Sequence, residues 1–312
     1  MLRHLIVSNF IITIPSYLTS SNFGIIDSTV KMEAFKMNLL FSISDNFTEP
    51  LLTTLFSIRN NTKEESYVVY VLQKEELKDN KLIHKFCQQL QMEYKPIIIG
   101  KNIFQNAPAS ERWPESIYYR LLAHEFLPSD LDKILYLDAD VLCINDLSLL
   151  YNQNINDYLY AASSHTRLEV TDTINRLRLG NRELKSYFNS GVLLMNLTLI
   201  RQEVKSETIY NFIMENHDFL LMPDQDVLNG LYGDQILPLP DELYNFDSRL
   251  PFLYEIMSQK EISYDWIMDN TVILHFCGKN KPWNESERSK FSVLYKHYYS
   301  QMKRVTNKIT SK

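Results

Sequence analysis

Two carboxylate residues, Asp138 and Asp140, stand with one residue between them directly after the apolar run at residues 134–137. Carboxylate oxygens are the ligands that Mg²⁺ and Mn²⁺ prefer in proteins, and both ions leave coordination sites open for phosphate oxygens. In a surface loop such a pair is usually solvated charge, but charge at the end of a buried strand requires compensation. The pattern therefore predicts a divalent cation site that faces a phosphate-bearing ligand.

The segment HFCGKNKPW, at residues 275–283, supplies further groups for the same chemistry. The His275 imidazole is able to complete a Mn²⁺ shell, Gly278 permits close backbone approach to a ligand, and Lys281 neutralises phosphate oxygens. A lone histidine at a strand end is more often a core residue, but the glycine and lysines beside it favour the ligand role. Cys277 is expected to pack in the interior, because a thiolate matches Mn²⁺ poorly.

Short apolar runs alternate with helical patterns from residue 38 onward, which is typical of a sheet covered by helices. We expect strands at residues 38–44, 67–72, 96–99, 133–137, within 187–197, and at 271–276. We expect helices at residues 50–59, 77–90, 117–126, 206–216 and 224–231. Right-handed crossovers make the start of such a sheet parallel, and ligands bind at the carboxyl ends of parallel strands. The acidic pair at 138 and 140 therefore lies where chemistry is expected.

Six ordered motifs cover most of the chain: FSISDNF at 41–47, YYRLL at 118–122, LYLDADVL at 135–142, FNSGVLLMN at 188–196, DQDVLNG at 224–230, and HFCGKNKPW. In these motifs the sequence resembles the retaining glycosyltransferases of family 8. The resemblance implies an α/β protein with the GT-A fold, in which helices flank a mixed, mostly parallel central sheet with a Rossmann-like nucleotide-binding half, and a C-terminal helical tail follows. It also implies transfer of a hexose from UDP-glucose or UDP-galactose to a saccharide acceptor, with Mn²⁺ or Mg²⁺ as cofactor and retention of the anomeric configuration.

The resemblance assigns roles to individual positions of this sequence. It implies metal ligands at Asp138, Asp140 and His275, and catalytic roles for Asp224, Gln225 and Lys281. Binding of the sugar donor is implied for Ser42, Asp45, Asn46, Phe47, Arg120, Asp138, Ala139, Asp140, Asn189, Ser190, Gly191, Gly278 and Lys281. Among these, Phe47 is expected to stack on the uracil ring.

Two routes to retention remain open at this point. Either an enzyme group first forms a covalent sugar intermediate, or the acceptor enters on the face from which the diphosphate leaves. Gln225 stands where a nucleophile is sought, and an amide is a poor one. The sequence therefore favours same-face substitution, with Asp224 orienting the sugar.

Composition limits the remaining possibilities. The formal net charge is −6, which argues against nucleic acid as the main partner, and three scattered cysteines suggest a reducing cytoplasm and no disulfide framework. We expect an N-terminal extension at residues 1–36, a catalytic domain at 37–285, and a basic, aromatic tail at 286–312. The tail is either a solvated terminal helix or a peripheral contact with the inner face of a membrane.

Two alternative functions follow from the same residues. Asp138 and Asp140 after an apolar strand also fit a phosphatase of the haloacid dehalogenase type, although its nucleophilic loop usually opens the domain. A catalytically inactive, glycan-binding relative is the second alternative. Trp113 and Trp283 are assigned to sugar stacking or to packing, and the segment at 163–179 is expected to help select the sugar. The identity of the acceptor, whether saccharide, lipid-linked saccharide or glycoprotein glycan, and the oligomeric state are left open.

Overall fold

The structure is a computed structural model that describes residues 2–7, 10–15, 36–63, 66–100, 103–104, 107, 115–164, 178–179, 186–257, 262–285, 287 and 289–311. The chain forms two compact units, Met1–Ala34 and Phe35–Lys312. In the first unit, strands β1 (Leu2–Val7) and β2 (Phe10–Pro15) pair as an antiparallel hairpin.

A seven-stranded sheet lies at the centre of the second unit, within the described residues. Its strands are β3 (Lys36–Ser42), β4 (Ser66–Gln73), β5 (Met92–Ile98), β6 (Lys133–Leu137), β8 (Tyr160–Ser163), β9 (Val192–Asn196) and β10 (Ile236–Leu239). Their order across the sheet is β10-β8-β9-β6-β3-β4-β5. Only β9 runs antiparallel to its neighbours β6 and β8, and the other described pairs are parallel. The predicted α/β architecture with a mixed, mostly parallel sheet is confirmed.

A second, three-stranded sheet lies beside the first. It has the order β11-β12-β7 and is formed by β7 (Val141–Cys143), β11 (Phe246–Asp247) and β12 (Ile273–His275). Strand β12 is antiparallel to β7, and His275 pairs with Val141. Because β7 begins just after Asp140, this register brings the end of β12 to the Asp-x-Asp turn. The small sheet therefore joins two motifs that lie far apart in the sequence.

Helices pack against both sheets, and the longer ones bury an apolar face. They are α1 (Thr48–Asn61), α2 (Asn80–Gln89), α3 (Ala123–Phe126), α4 (Ser148–Tyr151), α5 (Leu197–Glu203), α6 (Ser206–Glu215), α7 (Pro223–Tyr232), α8 (Asp241–Tyr244), α9 (Pro251–Met257), α10 (Tyr264–Asn270) and α11 (Lys290–Thr310). Pro223 is the first residue of α7. A backbone N–H at this position would have no acceptor within the helix, so proline, which lacks the N–H, costs no helical hydrogen bond there. Pro50 lies in the first turn of α1 for the same reason.

The helix expected at residues 117–126 is a 3-10 helix, Glu115–Leu122, followed by the single turn of α3. The strand expected at 96–99 begins earlier, at Met92, and ends at Ile98. Residues 92–95 were missed because Glu93 and Lys95 interrupt the apolar run, although alternation of this kind is common in an edge strand. The short strands β7, β8, β10 and β11 were not predicted, since runs of two to four residues give no clear period.

The C-terminal helix α11 packs against α1 and α2. Tyr295 and Met302 are fully buried on this helix, and Phe291 is nearly so. Across the described residues, none of the helices is both long enough and apolar enough to cross a membrane.

Candidate active site

The predicted site residues meet at the end of the central sheet where the carboxyl ends of its parallel strands lie. Asp138 directly follows β6, and residues 189–191 directly precede β9, which runs in the opposite direction beside it. The two segments are joined where the Asp138 N–H donates to the Gly191 carbonyl at 2.7 Å. The reversal of β9 therefore places its N-terminal end beside the carboxyl end of β6, so both segments reach the same cavity.

Asp138, Asp140 and His275 form a cluster of potential metal ligands. One ligand atom of each residue lies within 4.8 Å of the others. The His275 Nε2 atom is 3.4 Å from an Asp140 oxygen and 4.0 Å from an Asp138 oxygen. Two carboxylates and one imidazole form a donor set that fits Mn²⁺ or Mg²⁺.

Close packing of the backbone behind this cluster depends on Gly191. A Cβ atom at this position would lie 2.4 Å from the His275 Cε1 atom and 2.7 Å from an Asp138 carboxylate oxygen. Neither distance is compatible with a side chain. The sequence assigned Gly191 to the sugar pocket, and the structure places it against the two ligand side chains.

Arg120 lies between Asp138 and the start of α7. Its guanidinium is 2.9 Å from an Asp138 oxygen and 3.3 Å from an Asp224 oxygen, and it donates to the Ser190 carbonyl at 2.8 Å. It also stacks over the Tyr136 ring. Burial alone would lower the pKa of Arg120, but the nearby carboxylates outweigh it and hold the pKa above its usual value.

Asp224 and Gln225 lie in the first turn of α7, and both are buried. The Ser190 hydroxyl donates to Asp224 at 2.8 Å, while the Asn189 amide donates to the Gln225 Oε1 atom at 3.1 Å. Burial raises the pKa of Asp224, and Arg120 offsets only part of this increase. The residues at 189–190 thus hold both helix residues in fixed positions.

Lys281 contacts the metal-ligand cluster at Asp140. Its ammonium group donates to Asp140 and, at 3.0 Å, to the Phe276 carbonyl. Burial opposes ionisation of Asp140, yet Lys281 and His275 outweigh it and hold the pKa of Asp140 well below its usual range. Asp140 is therefore ionised at neutral pH.

These groups surround a cavity of about 980 Å³. Of the predicted site residues, it is lined by Ser42, Asn46, Phe47, Arg120, Asp138, Ala139, Asp140, Asn189, Ser190, Asp224, Gln225, His275, Gly278 and Lys281. Asp45 is not among the lining residues, since its carboxylate accepts from the Lys78 N–H at 3.0 Å. The structure thus assigns Asp45 to fixing a neighbouring turn.

The aromatic candidates differ in position. Phe47 lines the cavity and contacts Trp283 edge to face, with ring centroids 6.0 Å apart. Trp283 itself packs against Tyr295 of α11, which is a packing role. Trp113 lies outside the described residues, as does most of the segment at 163–179.

Cys277 corrects one expectation from the sequence. It was predicted to pack in the interior, but it is only partly buried and lines the cavity. Phe276 is buried in the core beside the small sheet, while His275 and Cys277 on either side of it line the cavity.

Sequence reasoning did not select several other residues of the cavity wall. These are Ile43, Ser44, Ser116, Ile117, Arg178, Tyr187, Leu221, Met222, Arg249 and Lys279. Arg249 is held by the buried carboxylate of Asp247 at 2.6 Å. Arg178 is paired with fully buried Asp226 at the same distance. Asp226 is 48 positions from Arg178 in the sequence, so no local pattern marks that pair. Asp247 is only two positions from Arg249, but nothing local shows that Arg249 lines the cavity.

Comparison with known proteins gives consistent results. The family model of Glycosyl transferase family 8 matches residues 38–287. General stress protein A of Bacillus subtilis (strain 168) is 28% identical over 283 residues, which cover 86% of this chain and 94% of that protein. The lipopolysaccharide 1,2-glucosyltransferase of Escherichia coli is 28% identical over 275 residues, covering 84% of this chain and 78% of that protein.

Among solved structures, the galactosyltransferase LgtC, crystallised with donor and acceptor sugar analogs, is similar with a TM-score of 0.72. The match is 24% identical and covers 85% of this chain and 96% of that one. This similarity confirms the GT-A fold predicted from the motifs.

Proposed function

The chain belongs to glycosyltransferase family 8, and from that premise we propose that it transfers glucose or galactose from a UDP-sugar to a saccharide acceptor, with Mn²⁺ or Mg²⁺ as cofactor. The observation that supports the proposal most directly is the convergence of Asp138, Asp140 and His275 on one wall of the cavity. Relatives named as glucosyl- and galactosyltransferases support a hexose as the transferred group.

The cavity offers separate surfaces for the parts of a nucleotide sugar. A divalent cation held by Asp138, Asp140 and His275 would neutralise negative charge on the diphosphate. Lys281 adds a fixed positive charge on the same side, so that it stabilises the charge that develops as the bond to the sugar breaks. Phe47 and Asn46 line the cavity near the end of β3, where we place the nucleoside.

We assign the sugar to the region of Arg120, Asn189 and Asp224. The Asp224 carboxylate is suited to accept from sugar hydroxyls, and its position is fixed by Arg120 and Ser190. Gln225 lies next to it as a neutral amide. Because an amide is a poor nucleophile and the Asp224 carboxylate is engaged by Arg120 and Ser190, we infer same-face substitution, in which the departing phosphate takes the acceptor proton.

The test is release of UDP from UDP-glucose and UDP-galactose, measured with and without Mn²⁺ and with a panel of saccharide acceptors. We expect Mn²⁺-dependent release with one of the two sugars. The Asp140→Asn variant is expected to reduce that release at least about 100-fold, as for loss of a main electrostatic group. Absence of release by the wild-type protein with every UDP-hexose would contradict the proposal.

The alternatives are separated by the same assay. The family assignment speaks against the haloacid dehalogenase interpretation, because the Asp-x-Asp turn here belongs to a glycosyltransferase domain that starts well before it. An inactive glycan-binding relative would bind saccharide without turnover of UDP-sugar. The complete set of three potential metal ligands supports an active enzyme.

A further inference from the structure

Asn245 lies directly behind the proposed metal site and has not been assigned a role so far. It connects α8 to β11, is 0% exposed, and does not line the cavity. Its Oδ1 atom lies 2.8 Å from the Nδ1 atom of His275, and its Nδ2 atom donates to the Asn189 Oδ1 atom at 2.9 Å. One buried amide thus contacts a proposed metal ligand on one side and a residue of the sugar region on the other.

The direction of these hydrogen bonds is fixed by a backbone group. The Gly191 N–H, which is only able to donate, lies 2.9 Å from the same Asn189 oxygen. The Asn189 atom that accepts from Gly191 must therefore be the amide oxygen. Asn245 must then donate to this oxygen through its NH₂ group. Consequently the Asn245 oxygen faces His275, and the Nδ1 atom of that ring must carry a hydrogen.

We propose that Asn245 is a positioning residue that holds His275 with a hydrogen on Nδ1, which leaves Nε2 available to bind the divalent cation. The inference rests on the proposed function, since it concerns the metal site of that activity. Metal-binding histidines commonly donate their second ring N–H to a neighbouring acceptor, which fixes the ring and its tautomer. Here the acceptor is a side-chain amide.

The same hydrogen bonds reach the sugar region. Asn189 donates through Nδ2 to the Gln225 Oε1 atom, and the Ser190 N–H lies 3.4 Å from that oxygen. Asn245 therefore couples the orientation of His275 to the orientation of Gln225 through a single residue, Asn189.

Two variants separate the contact of Asn245 with His275 from its contact with Asn189. Asn245→Leu removes both the acceptor for His275 and the NH₂ group for Asn189. Asn245→Asp is isosteric and keeps the acceptor, but it loses the NH₂ group. Mn²⁺ affinity is measured by electron paramagnetic resonance of free Mn²⁺, with and without UDP, and kcat and KM are measured for donor hydrolysis.

We expect Asn245→Leu to weaken Mn²⁺ binding about 10- to 100-fold, the usual cost of removing a partner of a metal ligand. Asn245→Asp should keep Mn²⁺ affinity within about threefold and still lower kcat about tenfold, because Asn189 loses one of the hydrogen bonds that hold it. The matched control is Asn80→Leu, a buried amide bonded to Gln73 and Tyr94, which should change thermal stability without changing Mn²⁺ affinity.

Wild-type Mn²⁺ affinity in Asn245→Leu, or equal loss of affinity in folded Asn245→Asp and Asn245→Leu, would overturn the inference. If Asn245→Leu does not fold, Asn245→Asp decides alone, since loss of Mn²⁺ binding in that isosteric variant contradicts the proposal. Failure of the wild-type protein to bind Mn²⁺ at all would instead count against the proposed function.

Discussion

At the scale of single residues, the site depends on side chains whose positions are fixed by neighbours on other elements. Arg120 is held by Asp138 and Asp224, and Asp224 is held in turn by Ser190. Such a network holds its groups in place before a ligand binds, which reduces the cost of ordering them during the reaction. Changes at these residues should therefore alter binding and catalysis more than overall stability.

Gly191→Ala is expected to disrupt the metal site. The added methyl group would collide with His275 and Asp138, and these are two of the three proposed ligands. We expect at least about a tenfold loss of Mn²⁺ affinity, in the range seen when the surroundings of metal ligands are altered. A Mn²⁺ titration in which free Mn²⁺ is followed measures this affinity.

Gly230→Ala is the matched control for this variant. Its methyl group would collide with the Phe212 ring in the core and not with a site residue. It should lower thermal stability and leave Mn²⁺ affinity unchanged. Equal Mn²⁺ affinity in Gly191→Ala and wild type would show that the close packing at Gly191 is not needed.

Lys281→Met should separate catalysis from metal binding. The variant removes a positive charge that stabilises the leaving diphosphate, so kcat is expected to fall about 10²- to 10³-fold. It also removes an ammonium group beside Asp140, so Mn²⁺ affinity should not weaken. Steady-state kinetics and Mn²⁺ titration test the two parts, with Lys279→Met at the cavity rim as the control. A fall in Mn²⁺ affinity that matches the fall in kcat would argue against this role.

His124 should contribute to the loss of stability in acid. Burial, together with nearby Arg201 and Lys205, lowers the pKa of His124 from 6.5 to about 4. Between these values the unfolded chain binds more protons than the folded one, so stability falls as the pH drops from 6.5 towards 4. The shift corresponds to as much as about 3 kcal/mol.

Urea unfolding of wild type and His124→Gln at pH 7 and pH 5 measures this contribution. The variant should lose less free energy of unfolding between the two pH values. His217→Gln, at a histidine whose side chain is 52% exposed, is the control and should behave as wild type does. An unchanged pH dependence in His124→Gln would refute the assignment.

At the scale of elements, α11 is not a merely solvated terminal helix, because Phe291, Tyr295 and Met302 on one of its faces are buried. Some of its basic residues also contact the rest of the chain. Lys303 pairs with Glu49 of α1 at 2.7 Å, and Tyr299 donates to the same carboxylate at 2.6 Å. The helix is therefore an integral part of the packed unit, whereas contact between its exposed basic residues and a membrane stays a prediction.

Met302→Ala tests the structural role of α11. Met302 is 0% exposed, so its truncation should destabilise the protein by about 2–5 kcal/mol. Lys303→Ala removes a surface ion pair and should cost less than about 1 kcal/mol. Chemical denaturation measures both values. A cost for Met302→Ala as small as that for Lys303→Ala would show that α11 is peripheral to the core.

At the scale of the whole molecule, the described residues of the site belong to the second compact unit. The described residues that line the cavity lie between Ser42 and Lys281, and the strands and helices that position them lie within Phe35–Lys312. We therefore expect the chain without residues 1–34 to retain its cooperative unfolding, Mn²⁺ affinity and donor hydrolysis. Loss of donor hydrolysis in a truncated protein that is still folded would assign residues 1–34 a part in the activity.

The sequence by itself determined the fold class, the order of the main elements, and most of the residues that line the cavity. The fold class and the order of elements depend on local apolar periods, whereas most of the cavity residues were implied by the resemblance of six motifs to family 8. Asp138 and Asp140 were recognisable because they follow a buried strand, and His275 because of the residues after it.

Only the tertiary structure decided which distant residues complete the site. Arg178 and Asn245 carry no local signal, because each acquires its role from a partner that the fold brings to it. Arg249 pairs with nearby Asp247, and only the fold shows that it lines the cavity. Cys277 was assigned to the core, but it lies beyond the end of β12 and lines the cavity. The physical reason is that patterns along a chain encode burial and backbone geometry, whereas hydrogen-bond partners and ligand distances arise when the antiparallel β9 and the small sheet bring separate segments together.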